Sequence, residues 1–142
     1  MKQAIIFDID GTLADHKNRI KYINQEPKKW DLFFSESIYD KPLKHVKIIY
    51  DALKKADKYQ IIIMTGRPNK YKGITIEWLY KNGFNYDKLF MRPTNNYKNN
   101  IEMKEIILHK IMQYYEVVFA FDDDEKVIEL YKKYNIKVLQ VL

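Results

Sequence analysis

Three apolar runs in this chain stop abruptly at polar residues: AIIF at 4–7 before Asp8, IIIM at 61–64 before Thr65, and VVFAF at 117–121 before Asp122. Short uninterrupted runs of this kind suit strands buried on both faces, as in a parallel sheet. KLFMR at 88–92 and KVLQVL at 137–142 are weaker strand candidates. Helical spacing fills the intervals. A first helix is predicted over 43–56, with Val46, Ile49, Leu53 and Ala56 on its buried face. A second is predicted over 74–82 and stopped by Gly83. A third covers 101–114, with Ile101, Ile107, Ile111 and Tyr114 inward, and a fourth lies near 126–134. Strands alternating with helices predict an α/β fold, a three-layer Rossmann-like parallel sheet. In such sheets the site lies beyond the carboxyl ends of the strands, so one site can gather all three polar tips.

Residues 13–42 break the alternation, being too long for an ordinary βα connection. They carry Lys17, Arg19, Lys21, Lys28 and Lys29, then Trp30, Phe33 and Phe34. The expectation is one domain over 1–142, with 13–42 as a small lid inserted after the first strand. Trp30 and the phenylalanines are expected in the core, with stacking on nucleic-acid bases as their other use.

Composition narrows the chemistry. The 142 residues include no cysteine, which removes disulfides, zinc–thiolate sites and a thiol nucleophile. The net charge of +6 suits an anionic partner such as nucleic acid or a phosphorylated metabolite, or simply solubility. The run at 4–7 is too short for a signal-peptide core, and no segment is long enough to span a bilayer. A cytoplasmic protein with no membrane partner is expected.

The strongest chemical signal is AIIFDIDGT at 4–12. Asp8 and Asp10 are two apart at a strand tip, where both can face one side, and Gly11 lets the backbone turn there. Asp8 could attack phosphorus and form an aspartyl-phosphate. Repulsion between that carboxylate and a phosphate dianion calls for a cation between them, and Mg²⁺ takes oxygen ligands. Asp8, a backbone carbonyl near Asp10, and a carboxylate at 122–124 could supply those ligands. Asp10 would protonate the leaving oxygen and then deprotonate the attacking water. The Thr65 hydroxyl and the Gly66 amide could bind phosphate oxygens. Lys104 could set its ammonium between Asp8 and the phosphoryl group.

DIDGT at 8–12, MTGR at 64–67, Lys104 opening a helix, and FDD at 121–123 resemble the four ordered motifs of the haloacid dehalogenase-like (HAD) phosphohydrolases. The resemblance implies Asp8 as nucleophile, Asp10 as acid/base and Asp123 as metal ligand, with Asp122 as a supporting carboxylate. More narrowly, the chain resembles the 3'-phosphatase domain of phage-type polynucleotide kinase–phosphatases. Arg19 stands eleven residues after Asp8, and Arg67 follows Gly66, as in that group. WDLFF, YDKPLKHV, LFMRP and MKEIIL are similar as well. The resemblance implies that Arg19 and Arg67 serve substrate phosphate, which guanidinium forks suit. Two positions depart from the pattern: Asn100 where an acid is usual, and Asp124 where an arginine is usual.

The function expected is Mg²⁺-dependent hydrolysis of phosphomonoesters, at 3'-phosphate ends of DNA or RNA. A small-molecule phosphatase such as a 5'-nucleotidase is the alternative within enzymes. A non-catalytic phosphate-accepting signalling domain is the alternative outside them. No G-x-x-x-x-G-K-[ST] loop occurs in the chain, so a stand-alone phosphatase is expected, with room for a separate kinase or ligase partner.

Overall fold

The apolar runs become the inner strands of one sheet. In the computed structural model, which describes residues 1–142, five strands run parallel. They are β1 (Lys2–Phe7), β4 (Gln60–Pro68), β5 (Lys88–Arg92), β6 (Tyr115–Asp122) and β7 (Lys137–Gln140). Their spatial order is β5-β4-β1-β6-β7. β1 is therefore central and is flanked by the two other strands that end in polar tips. Register pairs Phe7 with Ile63 on one side and with Phe121 on the other, which brings Asp8, Thr65 and Asp122 to within a residue of one level.

Strand alternation divides the core. Ile5 and Phe7 join Ile61, Ile63 and Phe121 on one face, under α2 (Lys44–Ala56) and α3 (Lys72–Lys81). Ala4 and Ile6 join Ile62, Met64 and Ala120 on the other, under α4 (Asn100–Tyr114) and α5 (Glu125–Lys133). This is the α/β Rossmann-like architecture expected, with helices on both faces of a parallel sheet. No helix is long and apolar enough to cross a membrane.

Several local expectations need correction. α2 buries Val46 and Tyr50, with Leu53 half-buried, while Ile49 and Ala56 are exposed. Tyr50 wins the inward position because its hydroxyl reaches the Asn85 carbonyl while its ring packs on Phe7. Tyr114, the last residue of α4, is exposed, and the buried stripe of that helix is Met103, Lys104, Ile107, Leu108 and Ile111. β4 does not stop at Thr65 but continues extended through Pro68.

Residues 13–42 are closed at their base by a two-strand antiparallel ladder, β2 (Ala14–Asp15) with β3 (Lys41–Pro42). Within them lies the short helix α1 (Trp30–Ser35). Phe33 is buried, as the core reading requires, but Trp30 is 48% exposed. A six-residue helix has one inward face, and Phe33 occupies it. Trp30 instead lies against Phe34.

Candidate active site

Asp8 follows the last residue of β1, and its amide donates to the Phe121 carbonyl at 3.2 Å, fastening it to the tip of β6. The chain then turns back through Gly11, whose φ of +83° suits a residue with no Cβ. A Cβ there would lie 2.1 Å from Asp123 Oδ2. Gly11 thus provides both the turn and the space into which the Asp123 carboxylate projects.

One lysine bridges two of three clustered carboxylates. Lys104, buried in the first turns of α4, donates to Asp8 Oδ1 at 3.0 Å and to Asp122 Oδ2 at 3.3 Å. Oxygens of Asp8, Asp122 and Asp123 all lie within 4.8 Å of one another. Burial would push the Lys104 ammonium toward losing its proton, but Asp122 and Asp8 outweigh that and hold it charged. Burial, with Asp122 next, pushes the Asp8 carboxyl well above its usual range despite Lys104. Burial and Asp122 also raise Asp123.

Such a surplus of buried negative charge fits a hard divalent cation. Asp122 already has both oxygens engaged, one by Lys104 and one by the Asp124 amide at 3.0 Å. Asp123 makes no bond to Lys104, and its contact from the Thr12 hydroxyl is long, at 3.4 Å. Asp8 and Asp123 are therefore the carboxylates best placed to hold a metal. The Asp10 carboxylate stands apart from this cluster, and the ligand expected from that position is its backbone carbonyl.

Asp10 faces two arginines instead. Arg67 donates from Nε and Nη2 at 3.0 and 2.8 Å, and Arg19 from Nη2 at 2.5 Å. Burial alone would raise the Asp10 carboxyl; Arg67 first and Arg19 second overcome it and hold it well below the usual carboxylate range. Both guanidinia are sequestered, 2% and 1% exposed for Arg19 and Arg67. Arg67 also donates to Thr75 Oγ1 at 3.1 Å, yet still borders the open cavity. Arg19 does not border it. Its remaining bonds go to the Phe33 carbonyl at 2.7 Å and, from Nε and Nη2, to Asp40.

Sequence reasoning gave Asp40 no role. Its partner is twenty-one residues away, and no local spacing announces the pair. The Trp78 indole donates to its carbonyl at 2.8 Å, anchoring this corner on α3. We expect Asp40→Asn to lower kcat/KM about ten-fold. Arg19 would lose an ionic partner and hold Asp10 less firmly. Steady-state kinetics, with circular dichroism to check the fold, would measure this, and an unchanged kcat/KM would exclude the role.

Thr65 and Gly66 border the same cavity as Asp8 and Asp10, a cleft of about 580 Å³. The Thr65 hydroxyl accepts from the Arg67 amide at 3.2 Å, which orients the turn. Arg92 Nε donates to the Gly66 carbonyl at 3.2 Å, a second brace absent from the sequence reading. Of the two departures, Asn100 lies over Gly66, its Oδ1 2.2 Å from where a Cβ would stand. Asp124 is exposed and caps α5, accepting from the Lys126 amide at 2.8 Å. The acid is explained there by helix capping.

Fold and site together define a HAD-type phosphoric monoester hydrolase. The fold is shared with a class C acid phosphatase from Bacillus anthracis (TM-score 0.67, 20% identity, 88% of this chain and 53% of that one). It is shared too with a β-phosphoglucomutase-like structure from Thermotoga maritima (TM-score 0.65, 16% identity, 99% and 85%). Residues 2–142 match the model of the polynucleotide kinase PNKP phosphatase domain, and the chain belongs to that family. Two structures of a Pnkp1/Rnl/Hen1 complex are also similar, at 29% and 30% identity with TM-scores of 0.83 and 0.80. Each is matched over 99% of this chain, which spans only 46% and 42% of the chains it matches.

Proposed function

We propose that this phosphatase removes 3'-terminal phosphates from polynucleotides, with Mg²⁺ as its metal. The observation that carries the reading is the pairing of Arg67 and Arg19 on Asp10, in the same cleft as Asp8 with its Lys104 partner, in a chain of the PNKP phosphatase family. The metal, held by Asp8, Asp123 and the backbone at Asp10, would neutralise the phosphoryl oxygens as the nucleophile approaches.

The chain's own residues account for the rest. Lys104 takes one oxygen of Asp8 and leaves the other to attack phosphorus, forming the aspartyl-phosphate as the P–O bond to the nucleic acid breaks. In the resting site two arginines keep Asp10 ionised. A docking phosphate competes for Arg67, which borders the cavity, and this raises the proton affinity of Asp10. Asp10 takes up a proton from solvent as the substrate docks, gives it to the leaving 3' oxygen, and later takes one from the water that breaks the acyl-phosphate. Thr65 and the Gly66 amide are the neutral donors to the phosphoryl oxygens. Arg19 acts chiefly by holding Asp10, so its loss is expected in kcat more than in KM.

Residues 13–42 serve in this reading as a small lid on one domain, leaving the cleft open to a chain end. A kinase or ligase on another chain or segment is a fitting partner, since the similar Pnkp1 chains come from an RNA repair complex.

The test is to incubate the protein with a 3'-phosphorylated oligonucleotide, a 3'-mononucleotide and a 5'-mononucleotide, with and without Mg²⁺. Metal-dependent preference for the oligonucleotide is expected. Preference for the 5'-mononucleotide would favour a nucleotidase. Stable phosphorylation without turnover would mean a signalling domain. Arg19→Ala should cut kcat on the oligonucleotide about a hundred-fold, the lower range of acid–base contributions.

A further inference from the structure

Part of the cleft wall is aromatic. Trp30 and Phe34 stack with ring centroids 5.8 Å apart and planes 19° from parallel, and Phe34 continues onto Tyr71 at 5.1 Å. All three border the cleft that also holds Asp8 and Thr65. Half of Trp30 remains exposed, although a large apolar ring beside a core gains by burial.

Surface contacts join the wall to the neighbouring turn. Asp31, next to Trp30, pairs with Lys70 at 3.1 Å and accepts from the Tyr71 hydroxyl, tying α1 to the turn after β4. Phe33 packs edge-on beneath Trp30 and lies 4.6 Å from the guanidinium carbon of Arg19. The aromatic face is thus linked mechanically to the group that holds Asp10. The border of the same cleft carries an amide-rich segment, with Asn95, Asn96, Asn99 and Asn100. Lys70, Arg92 and Lys98 supply positive charge at the same border.

A flat π face, amides, cations and a phosphate-reactive carboxylate bordering one cleft match one kind of occupant. We propose that Trp30, with Phe34 and Tyr71 behind it, is a stacking subsite for the base of the 3'-terminal nucleotide. The base must be unstacked from its neighbour to lie there, so the enzyme prefers single-stranded or frayed ends. The proposal rests on the polynucleotide reading above. It adds that the terminal base, and not the phosphate and backbone alone, is recognised.

The experiment compares two single-stranded 3'-phosphorylated oligonucleotides that differ only in whether the last residue carries a base or is abasic. Each is assayed with wild type, Trp30→Ala and Trp30→Phe, with circular dichroism as the fold control. In the wild type, removing the base should raise KM about ten-fold with little change in kcat. In Trp30→Ala the two substrates should become equal, and Trp30→Phe should restore most of the discrimination. Binding of the base-bearing oligonucleotide to Asp8→Asn should also quench tryptophan fluorescence, since Trp78, the other tryptophan, is buried. Turnover that ignores the terminal base in the wild type, or an equal loss on both substrates in Trp30→Ala, overturns the stacking site and leaves the polynucleotide reading standing. A wild type that hydrolyses no oligonucleotide overturns both.

Discussion

Asp8→Asn is expected to reduce phosphate release by about 10⁴-fold or more, in line with the loss of a covalent nucleophile elsewhere, while the protein stays folded. The amide keeps the shape of the carboxylate and can still meet Lys104. It cannot bond phosphorus, and it contributes less to a metal. The substitution also removes one of the two buried carboxylates that share the Lys104 ammonium, in a cluster that also includes the half-buried Asp123. Because burial and Asp122 raise the folded-state pKa of Asp8, its ionisation opposes folding when no metal is present. A group of this kind contributes stability below its unfolded pKa, near 4, and loses that contribution as pH rises through its folded value. Asp8→Asn should therefore be more stable than wild type in chelator at neutral pH. The gap should close on acidification and narrow again when Mg²⁺ is added. Denaturant melts at two pH values, with and without the metal, measure this. A variant less stable than wild type in chelator would mean that the carboxylate cluster is not short of positive charge.

The parts of the site that lay on strand tips were legible because they obey local rules. AIIF, IIIM and VVFAF each end at a charge or hydroxyl, and adjacency of β4, β1 and β6 brings those ends together. Lys104 was legible as the opening of a helix, and it meets Asp8 across ninety-six residues. What escaped depends on pairings that no local pattern encodes. Asp40 is a lone acid beside Lys-Pro until the β2–β3 ladder folds it onto Arg19. Arg92 closes on the Gly66 carbonyl only because β5 lies beside β4. The misjudged faces share another cause. Tyrosine and tryptophan are amphipathic, so their side of a helix is decided by whether a partner waits for the polar atom. Tyr50 found one in Asn85 and turned inward. On α1, Phe33 took the buried place and left Trp30 facing the cleft.

Lys104→Met is expected to have the second large effect, and it separates architecture from chemistry in this cluster. Methionine fills most of the volume of the lysine stem, so packing against α5 and β6 is largely kept. What disappears is the only ammonium within reach of Asp8 and Asp122, both buried. Leaving a buried charge unpaired typically costs about 3–5 kcal/mol, a large fraction of the stability of a domain of this size. In chelator the variant should show a much lower denaturation midpoint than wild type. Mg²⁺ should restore more of it than it adds to wild type, because the cation takes over the neutralising role. Activity should not return with it. The metal can balance charge, but it does not replace the donor that fixes one oxygen of Asp8 and aims the other. Combining the substitution with Asp8→Asn offers the sharpest comparison. With one carboxylate gone as well, the double variant should be more stable than Lys104→Met alone, and that coupling would be lost if the lysine were merely packed near the site.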